Sequence, residues 1–132
     1  MKLITRDTDY AIRSVCFIAK NKKEIVSAAE LTDALKIPRP FLRKILQVLD
    51  KKGVLKSYKG SGGGFSLGKP ADKIFLFDLM KIFQGDFSLN ECFLKKIPCP
   101  NRGRCVLRRS IKKIEKSVIR QLKPISISSI LG

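Results

Sequence analysis

The chain contains no histidine and only 11 acidic residues among 132. Without histidine there is no Ser–His–Asp triad, no Cys–His pair, and no imidazole ligand for zinc or haem. Eleven carboxylates are few for a carboxylate-based hydrolase. No run of about 18 apolar residues occurs, so no segment is expected to span a membrane. The first residues, Met-Lys-Leu-Ile-Thr-Arg-Asp, include no apolar core of the secretory kind, and no signal peptide is expected. A cytoplasmic protein that is not an enzyme is the expectation. Its thiols would be reduced or bound to metal.

What is abundant is positive charge. Lysine and arginine number 28, for a formal net charge of +17. Such an excess on a small domain points to a polyanion, either nucleic acid or an anionic membrane surface. Hydrophobic residues make up 44% and recur periodically, so a packed core is expected rather than disorder. The length suits one domain, or one domain with an arm.

Asp7 to Lys20 reads as a helix, with Ile12, Val15, Cys16 and Ala19 at i, i+3, i+4 and i+7. Glu24 to Val26 suits a very short strand. Ser27-Ala28-Ala29-Glu30 has the form of a capping box opening a short helix, with Leu31, Ala34 and Leu35 facing inward. That helix stops at Ile37-Pro38. Pro40 sits where the first turn of the next helix tolerates it. Phe41, Leu42, Ile45, Leu46, Val48 and Leu49 form the apolar stripe of this longer helix, which ends at Lys51-Lys52-Gly53. Val54 to Tyr58 and Phe65 to Leu67 read as two strands joined by the glycine-rich Lys59–Gly64. Ile74 to Gln84 predicts a strongly apolar helix against the first. Residues 87–104 look irregular. Cys105 to Lys123 predicts the longest helix, before Pro124 and a short amphipathic tail. On it Leu107, Ile111, Ile114, Val118 and Leu122 form a stripe suited to pairing with another helix.

Two short helices, a tight turn and a hairpin directly after the second helix make a winged helix-turn-helix. The fold class is therefore mainly α with a small β-hairpin wing, plus a long dimerisation helix. Residues 1–84 would form the DNA-binding domain, 85–105 a loop, and 106–132 the dimerisation helix and tail. Arg39, Arg43 and Lys44 lie off the apolar stripe of the second helix, where arginine can read guanine in a major groove. Lys59, Ser61, Gly62 and Gly63 at the wing can approach phosphate or a minor groove. Any one of these cations also suits a plain solvated face; the assembly is what points to double-stranded DNA. From Lys95 to Lys123 there are eleven basic residues and one acid, Glu115, which adds to the attractive field.

Cys92, Cys99 and Cys105 are spaced C-x6-C-x5-C among basic residues, which favour thiolates. Zinc ribbons use tighter C-x2-C pairs and four ligands. Three thiolates suit an iron–sulfur cluster better, because one iron can take a non-cysteine ligand. Three incidental thiols, or a cluster-free thiol switch, remain open. A thiol oxidoreductase lacks its C-x-x-C motif. A membrane-surface protein would use the basic helix, but no lipidation motif is present. Cys16 stands apart on the first helix and suits a small core position.

Thr8–Arg13, Ile37–Leu46, Lys59–Gly68 and the Cys92…Cys99-Pro100…Arg104-Cys105 segment together resemble the IscR/NsrR family of bacterial winged-helix transcriptional regulators. The resemblance covers essentially the whole chain. It implies a homodimer on a DNA operator, a repressor whose 2Fe–2S or 4Fe–4S cluster senses nitric oxide, redox or iron status. Cys92, Cys99 and Cys105 would be the cluster ligands, and Leu107, Ile111, Ile114, Val118 and Leu122 the dimer face. IscR-like members carry a histidine after the third cysteine, where this chain has Arg108. NsrR-like members use an aspartate from the partner's first helix. That position is Asp9 here, with Asp7 as the fallback. Asp9 also suits a helix N-terminus with no ligand role.

Overall fold

The computed structural model describes residues 2–89 and 106–132. Cys92, Cys99 and Cys105 lie outside the described residues.

Among the described residues six helices and one hairpin follow one another: α1 Arg6–Lys20, α2 Ala28–Leu35, α3 Arg39–Lys51, β1 Leu55–Tyr58, β2 Gly64–Leu67, α4 Leu76–Gln84, α5 Val106–Leu122 and α6 Ile127–Leu131. A single 3-10 turn, Ala71–Lys73, precedes α4. The mainly helical fold with a two-stranded wing is the expected one.

α1 is the hub. It packs against α2, α3, α4, β2 and α6. Thr5 caps it, its side chain accepting from the amide of Thr8, and Asp7 and Asp9 occupy the positive first turn. Its buried face is Ala11, Val15 and Ile18, with Thr8 and Ser14. The expected stripe of Ile12, Val15, Cys16 and Ala19 is thus rotated: only Val15 is fully buried, and the others are half-buried at the flank. The reason is the hub position. A helix covered on several sides can bury polar residues whose hydroxyls are satisfied. Ser14 Oγ donates to the Tyr10 carbonyl at 2.8 Å, and the Thr5 and Thr8 hydroxyls lie 3.1 Å apart.

Ser27 caps α2, accepting from the Glu30 amide at 3.1 Å. The other half of the expected box is replaced. The Glu30 carboxylate pairs with Lys23 at 3.7 Å. Ala34 is exposed rather than inward, and Leu31 is the helix's buried anchor. Lys36, in the left-handed region at φ 56°, turns the chain toward α3. On α3 the buried residues are Leu42, Ile45, Leu46 and Leu49. Phe41, expected on that stripe, is 39% exposed.

The wing pairs Leu55 with Leu67 and Tyr58 with Gly64, antiparallel. Glu24–Val26 contributes a single bridge rather than a strand, Val26 to Phe65, with both hydrogen bonds at 2.8 Å. At the tip Gly62 has φ +75°, which a side chain would resist. Gly64 is needed for a different reason: a Cβ there would run into the Val26 carbonyl. Gly64→Ala must therefore push Val26 away from the wing. The expected cost is about 1–3 kcal/mol, as for other overpacked sites, read by urea denaturation.

The tail returns to the body. The amide of Leu76 donates to the Ile125 carbonyl at 2.9 Å and that of Ile127 to the Ile74 carbonyl at 2.8 Å. Ile127 is completely buried, in the same core as Leu31, Leu49 and Leu79. Ser126 and Ser129 form a complete capping box for α6.

Candidate nucleic-acid interface and the approach to the cysteine segment

α3 shows two unlike faces. Its leucines and Ile45 anchor it in the core, and Arg39, Arg43, Lys44 and Gln47 are exposed to solvent. Among the described residues none of Arg39, Arg43, Lys44 or Lys59 takes part in an ion pair. Their charge is available to an incoming anion. No acid lies in the first turn of α3, and no side chain caps it, so its amide end adds positive potential. At the wing tip Lys59, Ser61 and Gly62 are exposed and Gly63 is partly so. Cations on a presented helix and a glycine tip beside it can grip a groove and its flanking backbone.

Two contacts that hold this surface together have no counterpart in the sequence pattern. Asp50, at the end of α3, accepts from both the amide and the hydroxyl of Ser57 on β1, each at 3.2 Å. It ties the wing to the helix. The only signal for it is a single acid within the basic stretch from Arg39 to Lys59. The second is the Arg6 guanidinium, 4.4 Å from the centroid of the Phe41 ring. It joins the start of α1 to the start of α3, and it accounts for Phe41 standing outside the core. Spacing along one helix cannot reveal a contact between two.

α5 is divided along its length. Leu122 is 7% exposed and packs with Leu76, Phe77 and Met80, and Val118 is half-buried against the same cluster. Leu122, expected on the dimer face, belongs to the core of its own chain. The other end differs. Val106 is 69% exposed, Leu107 65% and Ile114 52%, and Ile111 is intermediate. Val106, Leu107 and Ile114 leave an exposed apolar surface on α5, beside a partly covered Ile111.

The flanks of the cysteine segment are tied to other elements. The Leu89 amide donates to Glu115 of α5 at 2.7 Å. Gln84, at the end of α4, accepts from the Thr5 amide at 2.9 Å and donates to the Leu3 carbonyl at 3.1 Å. Thr5 is the cap of α1. Asp9, one turn further on, pairs with Arg13 at 3.0 Å, and its side chain is 45% exposed. Asp7 meets Arg6 at 3.3 Å. Cys16 is a free, half-buried thiol. Burial pushes its pKa above the ordinary value, and the Lys20 ammonium pulls the other way. Burial thus makes this thiol less acidic, and less reactive, than an exposed one. Among the described residues no three cysteine, aspartate or glutamate side chains gather around a metal position. Nor among them is any helix long and apolar enough to cross a membrane.

A cationic helix presented by a three-helix core, followed by a glycine-tipped wing, defines a winged-helix transcriptional regulator, not an enzyme. The family profile described as "Rrf2: Iron-dependent Transcriptional regulator" matches residues 4–132, and the chain belongs to that family. It is 31% identical to the HTH-type transcriptional regulator NsrR of Bacillus licheniformis over 133 residues, 99% of this chain and 92% of that protein. Its fold is similar to CymR, the global cysteine regulator of B. subtilis, with a TM-score of 0.81 at 20% identity, covering 99% of this chain and 97% of the other. It is also similar to IscR of T. potens, with a TM-score of 0.77 at 20% identity, covering 99% and 86%.

Proposed function

We propose that the chain is a homodimeric, cytoplasmic repressor whose iron–sulfur cluster gates binding to a DNA operator. Arg39, Arg43 and Lys44 read and grip the groove, and Lys59, Ser61, Gly62 and Gly63 hold the flanking backbone. Cys92, Cys99 and Cys105 hold the cluster, with Asp9 of the partner subunit as the fourth ligand.

The donor chemistry supports the cluster. Three thiols without histidine are an iron–sulfur set rather than a zinc set. Asp9 is accessible at the start of α1, and the pair that holds it is exposed and of the i,i+4 kind. Such pairs are worth only about 0.3–0.5 kcal/mol, so the carboxylate is readily released to a metal. When bound, the cluster supplies a redox- and nitric-oxide-sensitive iron centre. The chain's residues do the rest.

The observation that carries gating is the path away from the cysteine segment. Gln84 holds Thr5 and Leu3 at the start of α1, and Arg6 from that start stacks on Phe41 of α3. A shift at the loop reaches the recognition helix through two contacts. A two-fold dimer needs its two recognition helices about one helical turn of DNA apart, so a small displacement weakens specific binding most.

The test is operator binding by protein isolated without oxygen, against the same protein after iron removal. A difference of about tenfold or more is expected, and the signal is then sought with nitric oxide and with oxidants. Equal affinities would sink the switch. The second reading is a cluster-free thiol switch, in which a disulfide among Cys92, Cys99 and Cys105 changes affinity. The likeness in fold to a cysteine regulator keeps it in view. Iron-free, colourless protein with redox-dependent DNA binding would favour it.

A further inference from the structure

The second face of α5 is as ordered as its apolar one. Arg109, Lys112, Lys113, Lys116, Arg120 and Lys123 are all exposed. At 100° per residue they fall within an arc of about 100°, roughly opposite Leu107, Ile111, Ile114, Val118 and Leu122. The stripe is about 21 Å long at the helical rise. Lys123 stays in register, its amide donating to the Ile119 carbonyl at 2.9 Å. Among the described residues none of the six has an ion-pair partner. The one acid of the helix, Glu115, lies off the stripe and accepts from Leu89. The cations are spaced three and four apart, so they repel one another along the helix. Among the described residues no ion pair relieves that repulsion.

We infer that this stripe is a second DNA-contact surface, which grips duplex phosphates outside the sequence read by α3 and the wing. A straight, evenly spaced row of cations on a rigid helix matches a polyanion of regular charge spacing. Duplex DNA carries one charge per about 1.7 Å of axis, so the row can neutralise several phosphates at once. A lipid surface fits less well. A helix lying on a membrane must bury its apolar side in the lipid, and here Val118 and Leu122 are engaged in the chain's own core. The inference rests on the chain binding DNA but not on the cluster.

The experiment uses the full chain with reduced thiols and a fluorescent duplex of random sequence, with affinity followed by anisotropy across a salt titration. The triple variant Lys112→Gln/Lys113→Gln/Lys116→Gln keeps the helix propensity, checked by circular dichroism. Each phosphate that is no longer neutralised lowers the slope of log K against log salt by about 0.9, so a fall of about 2–3 is expected. Lys22→Gln/Lys73→Gln/Lys81→Gln removes equal charge elsewhere and is expected to change the slope by less than about 1. Equal falls in both variants mean a diffuse field rather than a surface, and overturn the inference. An unchanged slope overturns it, as does tight binding to phosphatidylserine vesicles that the α5 triple variant alone loses while its duplex slope stays the same. A parent chain that binds no duplex removes the DNA-binding reading as well.

Discussion

Ile114→Glu is expected to turn a dimer into a monomer and to weaken operator binding by about a hundredfold or more. The reason is the uncovered end of α5. Leu107 and Ile114 expose 65% and 52% of their surface beside Val106 at 69%. Burying a leucine or isoleucine fully is worth about 1.5–3 kcal/mol, and a two-fold interface counts each residue twice. A glutamate there removes that gain from both copies and sets two like charges close together. Each operator half-site would then be bound alone, without the second recognition helix. Light scattering on the eluting protein reads the mass, and anisotropy reads the affinity. Ile114→Leu should remain dimeric. A dimer that persists with glutamate would show that another surface joins the subunits.

Cys99→Ala has the other large effect. Purified without oxygen, the variant is expected to lack the visible absorption of the cluster and its iron and sulfide. Its operator affinity should equal that of the iron-depleted parent, and additions of iron or nitric oxide should leave it unchanged. Cys16→Ala is the control. Its thiol is half-buried on α1 against the core, away from the Cys92–Cys105 stretch of sequence, so the variant should hold the full cluster. A Cys99→Ala protein with a complete cluster would remove Cys99 from the ligand set. If the parent itself lacks iron, the thiol switch becomes the better reading.

Most of the architecture is legible in the sequence because its signals are local. Ser27 as a cap, Pro40 in a first turn, and a run of glycines between two short strands each act over a few residues, and each appears where the pattern puts it. The exposed cations of α3 are legible for the same reason, since a single helix sorts its own apolar and charged faces. Pattern and structure part where one element meets several. The buried face of α1 is rotated from its apolar stripe because five neighbours surround it. Glu30 suits its own helix end, yet Lys23 on the preceding turn takes its carboxylate. Leu122 continues the stripe of Ile111 and Ile114 in sequence, yet α4 covers it and leaves the other end bare.

The absent histidine and the +17 charge are decisive from composition alone. They exclude imidazole chemistry and point to a polyanion. Hydrophobic periodicity then marks the helices, because burial repeats with the backbone. What no spacing can announce are contacts between distant segments: Gln84 with Thr5, Arg6 with Phe41, Leu89 with Glu115, and Ile127 returning to the first core. Their free energy depends on which surfaces the fold brings within a few ångströms. Packing of the whole chain settles that, and local pattern does not.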